Sequence, residues 1–316
     1  MAARERRAAN DPSAKGFLER NGWVIATYLI VAVGFWAIVM VVLPQLYMVD
    51  FSFHPKLPPK DYGGPDDHYT LDSYRYFLFA STEKTDSYNV VHLQAFLMTI
   101  IASIGVTFFS FCFCYPLAYF MAQVAAPIRL RLLMLLLIVP FWVIEILRAF
   151  ALRILFGTSG LINNLLLGFG LLAEPIDFLG LDIALYTGLA YAYLLLMMFP
   201  LYNAIESLDK NQIEAARDLG APWWHIHLNV VMPFAKPGIA SGCTLVFMLS
   251  AGALAAPQIL GGPNTLWFTP VVYDRFYQAF NWPQGSAYAF ILLLACIVFV
   301  LAVMKVFKVS LGEITR

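Results

Sequence analysis

The chain has 316 residues, of which 60% are hydrophobic, 16% aromatic and only 13% charged. Soluble domains usually carry about a quarter charged residues and less than half apolar ones, so this composition excludes a water-soluble globular protein. The 20 basic and 20 acidic residues leave no net charge, which argues against a nucleic-acid partner. All four cysteines lie inside apolar runs, so they predict neither a disulfide framework nor a metal cluster. The composition therefore indicates an integral membrane protein.

Six segments are long and apolar enough to cross a bilayer, for which a helix needs about 20 residues. The third contains three charged residues, and the fifth ends before a Gly-Gly-Pro-Asn turn. Their lengths suit helices rather than barrel strands of about ten residues. We predict an all-α membrane protein with six transmembrane helices, at residues 23–46, 93–128, 132–156, 183–205, 237–257 and 276–304.

The distribution of Lys and Arg predicts the orientation, because these residues are enriched in cytoplasmic loops. With both termini in the cytoplasm, thirteen of the 20 fall on the inner side. The first apolar run is longer than the core of a signal peptide, so we interpret it as an uncleaved span. The predicted organisation is a cytoplasmic tail (1–22) and a transmembrane domain (23–316) that includes an outer loop (47–92) and a cytoplasmic loop (206–235).

The cytoplasmic loop has the pattern of two short helices. Asp209 followed by Gln212 resembles a capping box, and Gly220 suits the left-handed position that ends a helix. Pro222 can occupy the first turn of a second helix, which we expect Pro233 to terminate. The pattern fits either a docking element for a partner or an amphipathic helix on the lipid surface.

The same loop resembles the EAA signature of bacterial ABC importer permeases. The matching residues are Glu214-Ala215-Ala216, Gly220 and Val230-Val231-Met232-Pro233. Shorter motifs are similar to the spermidine/putrescine-type branch of that family. They are Pro140-Phe141-Trp142, Arg148, Gly160 with Asn163, Pro200-Leu201-Tyr202, Gly261-Gly262, Asn281-Trp282-Pro283 and Gly285. The resemblance covers roughly residues 93–304.

This resemblance implies a type I importer permease fold in the bacterial cytoplasmic (inner) membrane. It also implies four partners: a dimer of ATP-binding subunits, a second homologous permease, a periplasmic solute-binding protein and the lipid bilayer. In such importers the EAA loop forms a coupling helix that sits in a groove of the ATPase. The ATPase-coupling residues implied here are Glu214, Ala215, Ala216, Arg217, Asp218, Gly220 and Pro233.

The sequence lacks the motifs of a catalytic or nucleotide-binding chain. It contains no G-x-x-x-x-G-K-[ST] loop, which is the motif that binds the phosphates of ATP. We therefore expect no cofactor in this chain, and we expect ATP and magnesium to bind to the partner ATPase. His225 and His227 are two residues apart and face different sides of a helix, so we predict no metal site. We predict a permease subunit and not an enzyme.

Glu145 is the main candidate for the solute path, because a carboxylate within a membrane span must face protein or water. It is expected either to contact a cationic solute or to form an ion pair with Arg148, three residues later. Aromatic rings attract ammonium groups, so three further candidates are Trp142, expected one turn below Glu145, and Tyr191 and Tyr193.

Other aromatic residues lie in the predicted outer segments and are candidates for docking the solute-binding protein: Trp267, Tyr277 and Trp282. The apolar stretch 161–172 is expected to form a short helix at the same face.

The leading hypothesis is a permease subunit of an ATP-driven, binding-protein-dependent polyamine importer. The same importer class for an opine, an amino-acid derivative or an anionic solute remains an alternative. A gradient-driven transporter would show inverted repeats and ionisable residues in several spans, whereas only Glu145 fits that pattern. A membrane enzyme would need a polar constellation, which the sequence does not offer.

Overall fold

The computed structural model describes residues 17–58, 60–80 and 88–309, and this part of the chain is helical without strands. Residues 1–16 of the predicted cytoplasmic tail lie outside it. The helices are α1 (Phe17–Ala37), α2 (Leu43–Phe51), α3 (Asp72–Phe79), α4 (Val90–Tyr119), α5 (Pro127–Ile138), α6 (Glu145–Phe156), α7 (Leu161–Gly168), α8 (Ile183–Glu206), α9 (Lys210–Asp218), α10 (Trp223–Ile226), α11 (Met232–Phe234), α12 (Lys236–Ala251), α13 (Ala255–Leu260), α14 (Phe268–Tyr277) and α15 (Trp282–Phe307).

Five helical segments among the described residues are long and apolar enough to span a membrane: Gly22–Phe51, Val90–Val124, Glu145–Gly168, Ile183–Glu206 and Trp282–Phe307. A sixth is obtained if the bent pair Trp223–Phe234 and Lys236–Ala251 counts as one span. The predicted number of six is therefore reached only with a broken helix.

The first span is longer than predicted. Helices α1 and α2 are joined by the π-helical turn Ile38–Val42, so the helix continues into the predicted outer loop as far as Phe51. Within the described part of this span the large apolar side chains are mostly exposed, and α2 packs against α15.

The core lies between α4, α8 and α12, which pack against one another. Cys114, Met197 and Val246, one from each helix, are fully buried there. A Cβ atom at Gly238 of α12 would lie 2.5 Å from the Ala204 Cβ of α8, so glycine is required for this close approach. Helices α6 and α13 pack on α8, and α15 covers α12.

The third predicted span is wrong as a single helix. Helix α5 ends at Ile138, a 3-10 turn follows at Val139–Trp142, and α6 begins only at Glu145. Pro140 has no N–H to donate to the preceding turn, and its ring crowds the carbonyl four residues earlier. Val143 and Ile144 are extended, with ψ angles of 130° and 140°, so the chain changes direction before α6.

Two other boundaries differ from the sequence prediction. The last span begins at Trp282 rather than at residue 276, because the Asn281 side chain accepts a hydrogen bond from the Gln284 N–H at 3.3 Å and caps α15 there. Phe276 belongs instead to the separate helix α14. The short helix predicted at 161–172 is found as α7, which ends at Gly168.

The two ends of the bundle differ. At one, which we call the long-loop end, segments 47–80, 157–182 and 261–281 meet. Lys56 Nζ donates to the Ala279 carbonyl at 3.1 Å, and Phe77 of α3 packs against Phe268 and Tyr288. At the other, which we call the coupling end, Gln123 Nε2 donates to the Ile205 carbonyl at 2.7 Å. Residues 206–235 follow α8 there.

Candidate functional site

The break before α6 places Glu145 at the start of a helix rather than in the middle of one. The free N–H groups of a helix N-terminus favour negative charge, so an acidic residue suits this position. Glu145 Oε1 accepts a hydrogen bond from the Tyr193 hydroxyl at 3.1 Å. Tyr193 is itself buried on α8, which fixes the carboxylate against the core while leaving Glu145 partly exposed.

The predicted alternative of an ion pair between Glu145 and Arg148 is wrong for the described structure, where no such pair lies within 4.0 Å. Arg148 Nη1 donates instead to the Ala192 carbonyl at 3.4 Å. Its guanidinium carbon lies 5.5 Å from the centre of the Phe141 ring and 6.0 Å from that of Tyr191. These distances are typical of cation–π contacts.

The predicted aromatic candidates around Glu145 have separate surroundings. Tyr193 contacts the carboxylate, and Tyr191 contacts Arg148. Trp142 does not stand one helical turn below Glu145, because two extended residues separate them, and it is 78% exposed. Sequence reasoning missed Phe141. The Pro140-Phe141-Trp142 motif marked the position, but only the larger indole was chosen as the ring.

At the coupling end, the first short helix predicted for the loop 206–235 is formed. The Asp209 side chain accepts from the Asn211 N–H at 3.0 Å and caps α9. It does not bond Gln212, so the reciprocal capping box is absent there. Gly220 has φ = 79°, which a residue with a Cβ rarely adopts, and the second short helix α10 begins directly after Pro222.

Helix α9 is amphipathic, with one face on the protein and one face free. Ile213 is buried and Ala216 packs partly against the main core. The other predicted coupling positions of this stretch are exposed: Glu214, Ala215, Arg217, Asp218 and Gly220. Leu219, which the sequence analysis did not select, is 87% exposed at the tip of this face. Its place between Asp218 and the helix-ending Gly220 of the EAA signature is the sequence signal that would have found it.

Pro233 does not end the second helix as predicted. The chain stays helical from α10 through the π-helical turn His227–Val231 and into α11. The break comes at Ala235, where α12 departs at an angle of 75° to the preceding segment. Pro233 therefore lies inside a continuous helical stretch, two residues before the break.

His227 fastens this second helical segment to α4. Its Nδ1 lies 2.9 Å from the Tyr115 hydroxyl, and its ring centre lies 4.4 Å from that of Tyr119. His225 points elsewhere and contacts Asn229 at 3.0 Å. The two histidines thus face different sides of the helix, as the sequence analysis expected.

The three aromatic candidates for docking at the long-loop end are not equally accessible. Tyr277 and Trp282 are exposed. Trp267 is only 4% exposed, so its side chain is covered by this chain itself. This burial argues against the docking role predicted for Trp267, because a covered side chain cannot contact a partner. Tertiary packing has drawn this residue, at the edge of a helix, into the core.

Residues 93–308 match the protein family described as the inner membrane component of binding-protein-dependent transport systems. The chain is 33% identical over 267 residues to the spermidine/putrescine transport system permease protein PotB of Haemophilus influenzae, which covers 84% of this chain and 88% of that protein. It is 34% identical over 259 residues to PotB of Escherichia coli K12, with 82% and 89% coverage.

The fold is also found among solved structures. The crystal structure of a bacterial alginate ABC transporter in complex with an alginate pentasaccharide-bound periplasmic protein contains a similar chain. The TM-score is 0.70 at 17% identity, and the match covers 93% of this chain and 98% of that chain. This likeness confirms the importer-permease fold predicted from the sequence.

Proposed function

The chain belongs to the family of binding-protein-dependent transport system inner membrane components, and we propose that it carries polyamines of the putrescine and spermidine type across that membrane. The observation that carries this solute class is the 33–34% identity to two spermidine/putrescine permeases over more than four-fifths of the chain. The opine, amino-acid-derivative and anionic alternatives have no relative of comparable support among these matches.

The partly exposed carboxylate of Glu145 suits such a cationic solute. An ammonium group has three donors and no acceptor, so it binds where an acceptor with spare lone pairs is offered. The Tyr193 hydroxyl uses one of the roughly four lone-pair directions of the carboxylate and orients it. In a low-dielectric span a bond between such charges is stronger than in water, which favours a cation over a neutral solute.

The energy for transport comes, in this proposal, from ATP hydrolysed by a separate subunit. The exposed face of α9, with Glu214, Ala215, Arg217 and Asp218, would lie in a groove of that subunit. Leu219 supplies the apolar tip that an otherwise polar contact needs at its centre. Ile213 and the His227 contacts hold the helix against the permease, so a movement of the ATPase is passed on to the bundle.

The long-loop end faces the periplasm in this proposal, and the coupling end faces the cytoplasm. The distribution of Lys and Arg supports this orientation. Tyr277 and Trp282 are exposed at the long-loop end, where a solute-binding protein would dock. A second, related permease would cover part of the exposed apolar surface.

The test is transport by the whole complex in proteoliposomes: this chain with its second permease, ATP-binding subunits and binding protein. We expect ATP-dependent uptake of radiolabelled putrescine or spermidine. Glu214→Lys should lower uptake about tenfold or more, because a reversed charge at the centre of a contact removes a large share of its energy. Gln212→Lys places a positive charge on an exposed position of the same helix and should keep most of the uptake.

Other solutes separate the alternatives. Uptake of an opine, an amino-acid derivative or an anionic oligosaccharide, without uptake of either polyamine, would refute the solute class. Polyamine uptake that continues without the ATP-binding subunits would refute coupling through α9 and favour a gradient-driven transporter.

A further inference from the structure

Arg148 is an incompletely satisfied charge in the middle of the chain. Its Nε is buried without a hydrogen-bond partner among the described residues, and Nη1 makes one long bond of 3.4 Å to the Ala192 carbonyl. The guanidinium also lies over the rings of Phe141 and Tyr191. A guanidinium held mainly by ring faces is easier to move than one held by a carboxylate, since each such contact contributes little.

The acceptor that Arg148 lacks is close at hand. Glu145 stands three residues earlier on α6, a spacing at which two side chains on a helix face each other. Nevertheless the Glu145 carboxylate is oriented towards the Tyr193 hydroxyl, and no ion pair with Arg148 forms in the described part of the chain. The rings and the tyrosine therefore keep two opposite charges apart that would otherwise neutralise each other.

We propose that Arg148 is a tethered competitor of the transported cation for the Glu145 carboxylate, and that Phe141 sets the competition by holding the guanidinium away. With Arg148 on its rings, the carboxylate is free for an ammonium group of the solute. When Arg148 leaves the rings, it occupies the carboxylate and displaces the solute. Arg148 and Phe141 are then specificity-determining residues, since a solute cation that binds the Glu145 carboxylate weakly would not displace the guanidinium from it.

This inference rests on the proposed function, because it requires a cationic solute at Glu145. It adds a role for residues that do not themselves bind the solute. Arg148 acts through Glu145, and Phe141 acts through Arg148. The consequence to be measured is a change in apparent affinity, with turnover much less affected, since the competition concerns one binding step.

The experiment measures KM and kcat of ATP-dependent putrescine uptake by the whole complex in proteoliposomes. Phe141→Leu keeps an apolar side chain but removes the ring, so Arg148 should pair with Glu145 and KM should rise about 2- to 30-fold. Arg148→Gln removes the competitor and should lower KM. In the double variant Phe141→Leu/Arg148→Gln, KM should return to or below the wild-type value.

Rescue in the double variant is the result that a merely structural role of Phe141 would not give. Phe150→Leu removes an exposed ring from α6, the helix that carries Arg148, and this ring has no cation contact among the described residues; it is the matched control and should leave KM unchanged. If Phe141→Leu raises KM and Arg148→Gln does not restore it, or if Phe141→Leu leaves KM unchanged, the tethered competitor is refuted.

Glu145→Gln separates this failure from that of the proposed function. If Glu145→Gln raises KM but the rescue fails, the solute contact stands and only the competition is wrong. If Glu145→Gln leaves KM unchanged, Glu145 does not bind the solute and both the contact and the competition fall. If the wild-type complex does not transport putrescine at all, the proposed solute itself is wrong.

Discussion

Two arginines of this chain lie beside aromatic rings, and their surroundings are opposite. Arg275, at the long-loop end, contacts the Tyr76 ring at 5.8 Å and donates from Nη2 to His92 Nε2 at 3.1 Å. His92 Nδ1 lies 2.7 Å from the Tyr288 hydroxyl, which also accepts from Gln284 Nε2 at 3.2 Å. Arg148 has two rings and one long bond to a carbonyl.

The difference shows how the same residue type can fasten a fold or remain movable. A guanidinium only donates, so His92 Nε2 must accept and the ring proton lies on Nδ1, which the Tyr288 hydroxyl and Asn89 Nδ2 both approach at 2.7 Å. Arg275, His92, Tyr288 and Gln284 thus form one connected network, and connected buried networks rigidify a structure. Arg148 retains a buried Nε without a partner in the described residues, so its position is less firmly determined.

Among the substitutions that test the contrast between Arg275 and Arg148, His92→Leu is expected to have the largest effect on stability. The substitution leaves Arg275 and Tyr288 facing an apolar side chain, and unsatisfied buried groups cost about 1–3 kcal/mol each. The melting temperature of the detergent-solubilised complex should fall on the order of 5–10 °C. An unchanged melting temperature would mean that this network contributes nothing to the stability of the long-loop end.

A matched pair of arginine substitutions gives the next largest effect. Arg275→Gln removes a charged hydrogen bond within a connected network and should destabilise by about 1.5–3 kcal/mol. Arg148→Gln removes mainly ring contacts and a buried Nε that has no hydrogen-bond partner among the described residues, so it should cost less than Arg275→Gln. Thermal unfolding of the two variants in the same detergent compares them directly. Equal losses of unfolding free energy in the two variants would contradict the proposed difference between Arg275 and Arg148.

The smallest expected effects come from removing one hydroxyl in each region. Tyr288→Phe should destabilise by about 1 kcal/mol and leave the KM of putrescine uptake unchanged. Tyr193→Phe frees the Glu145 carboxylate to turn towards Arg148, so KM should rise about 2- to 10-fold. Thermal unfolding and uptake kinetics measured on both variants test these two expectations. A change of KM in Tyr288→Phe would contradict the purely structural role of the Tyr288 hydroxyl.

Where structure depends on local backbone chemistry, the sequence was sufficient. Asp209 caps α9, Gly220 is left-handed and Pro222 precedes α10, as each residue type predicts from its own conformational preference. The apolar runs likewise predicted the spans of α4 and α8 closely. These features require no knowledge of which other elements pack nearby.

Where structure depends on packing, the sequence was not sufficient. The sequence predicted 132–156 as one span, but the break at Val139–Trp142 and the start of α6 at Glu145 decide which side chains face each other. A spacing of three residues favoured pairing of Glu145 with Arg148, yet Phe141 and Tyr193, from other elements, provide better-placed contacts. The burial of Trp267 is likewise a tertiary effect.

At Ala235 the chain turns by 75°, which makes a corner between the segment Trp223–Phe234 and helix α12. The arm Trp223–Phe234 is held to α4 through His227, so a sideways force on α9 from the proposed ATPase would act at this corner and tilt α12 instead of sliding it lengthwise. Helix α12 lies against α8, the helix that carries Tyr193. In the proposed mechanism, such a tilt would therefore reach the Tyr193 hydroxyl that hydrogen-bonds Glu145.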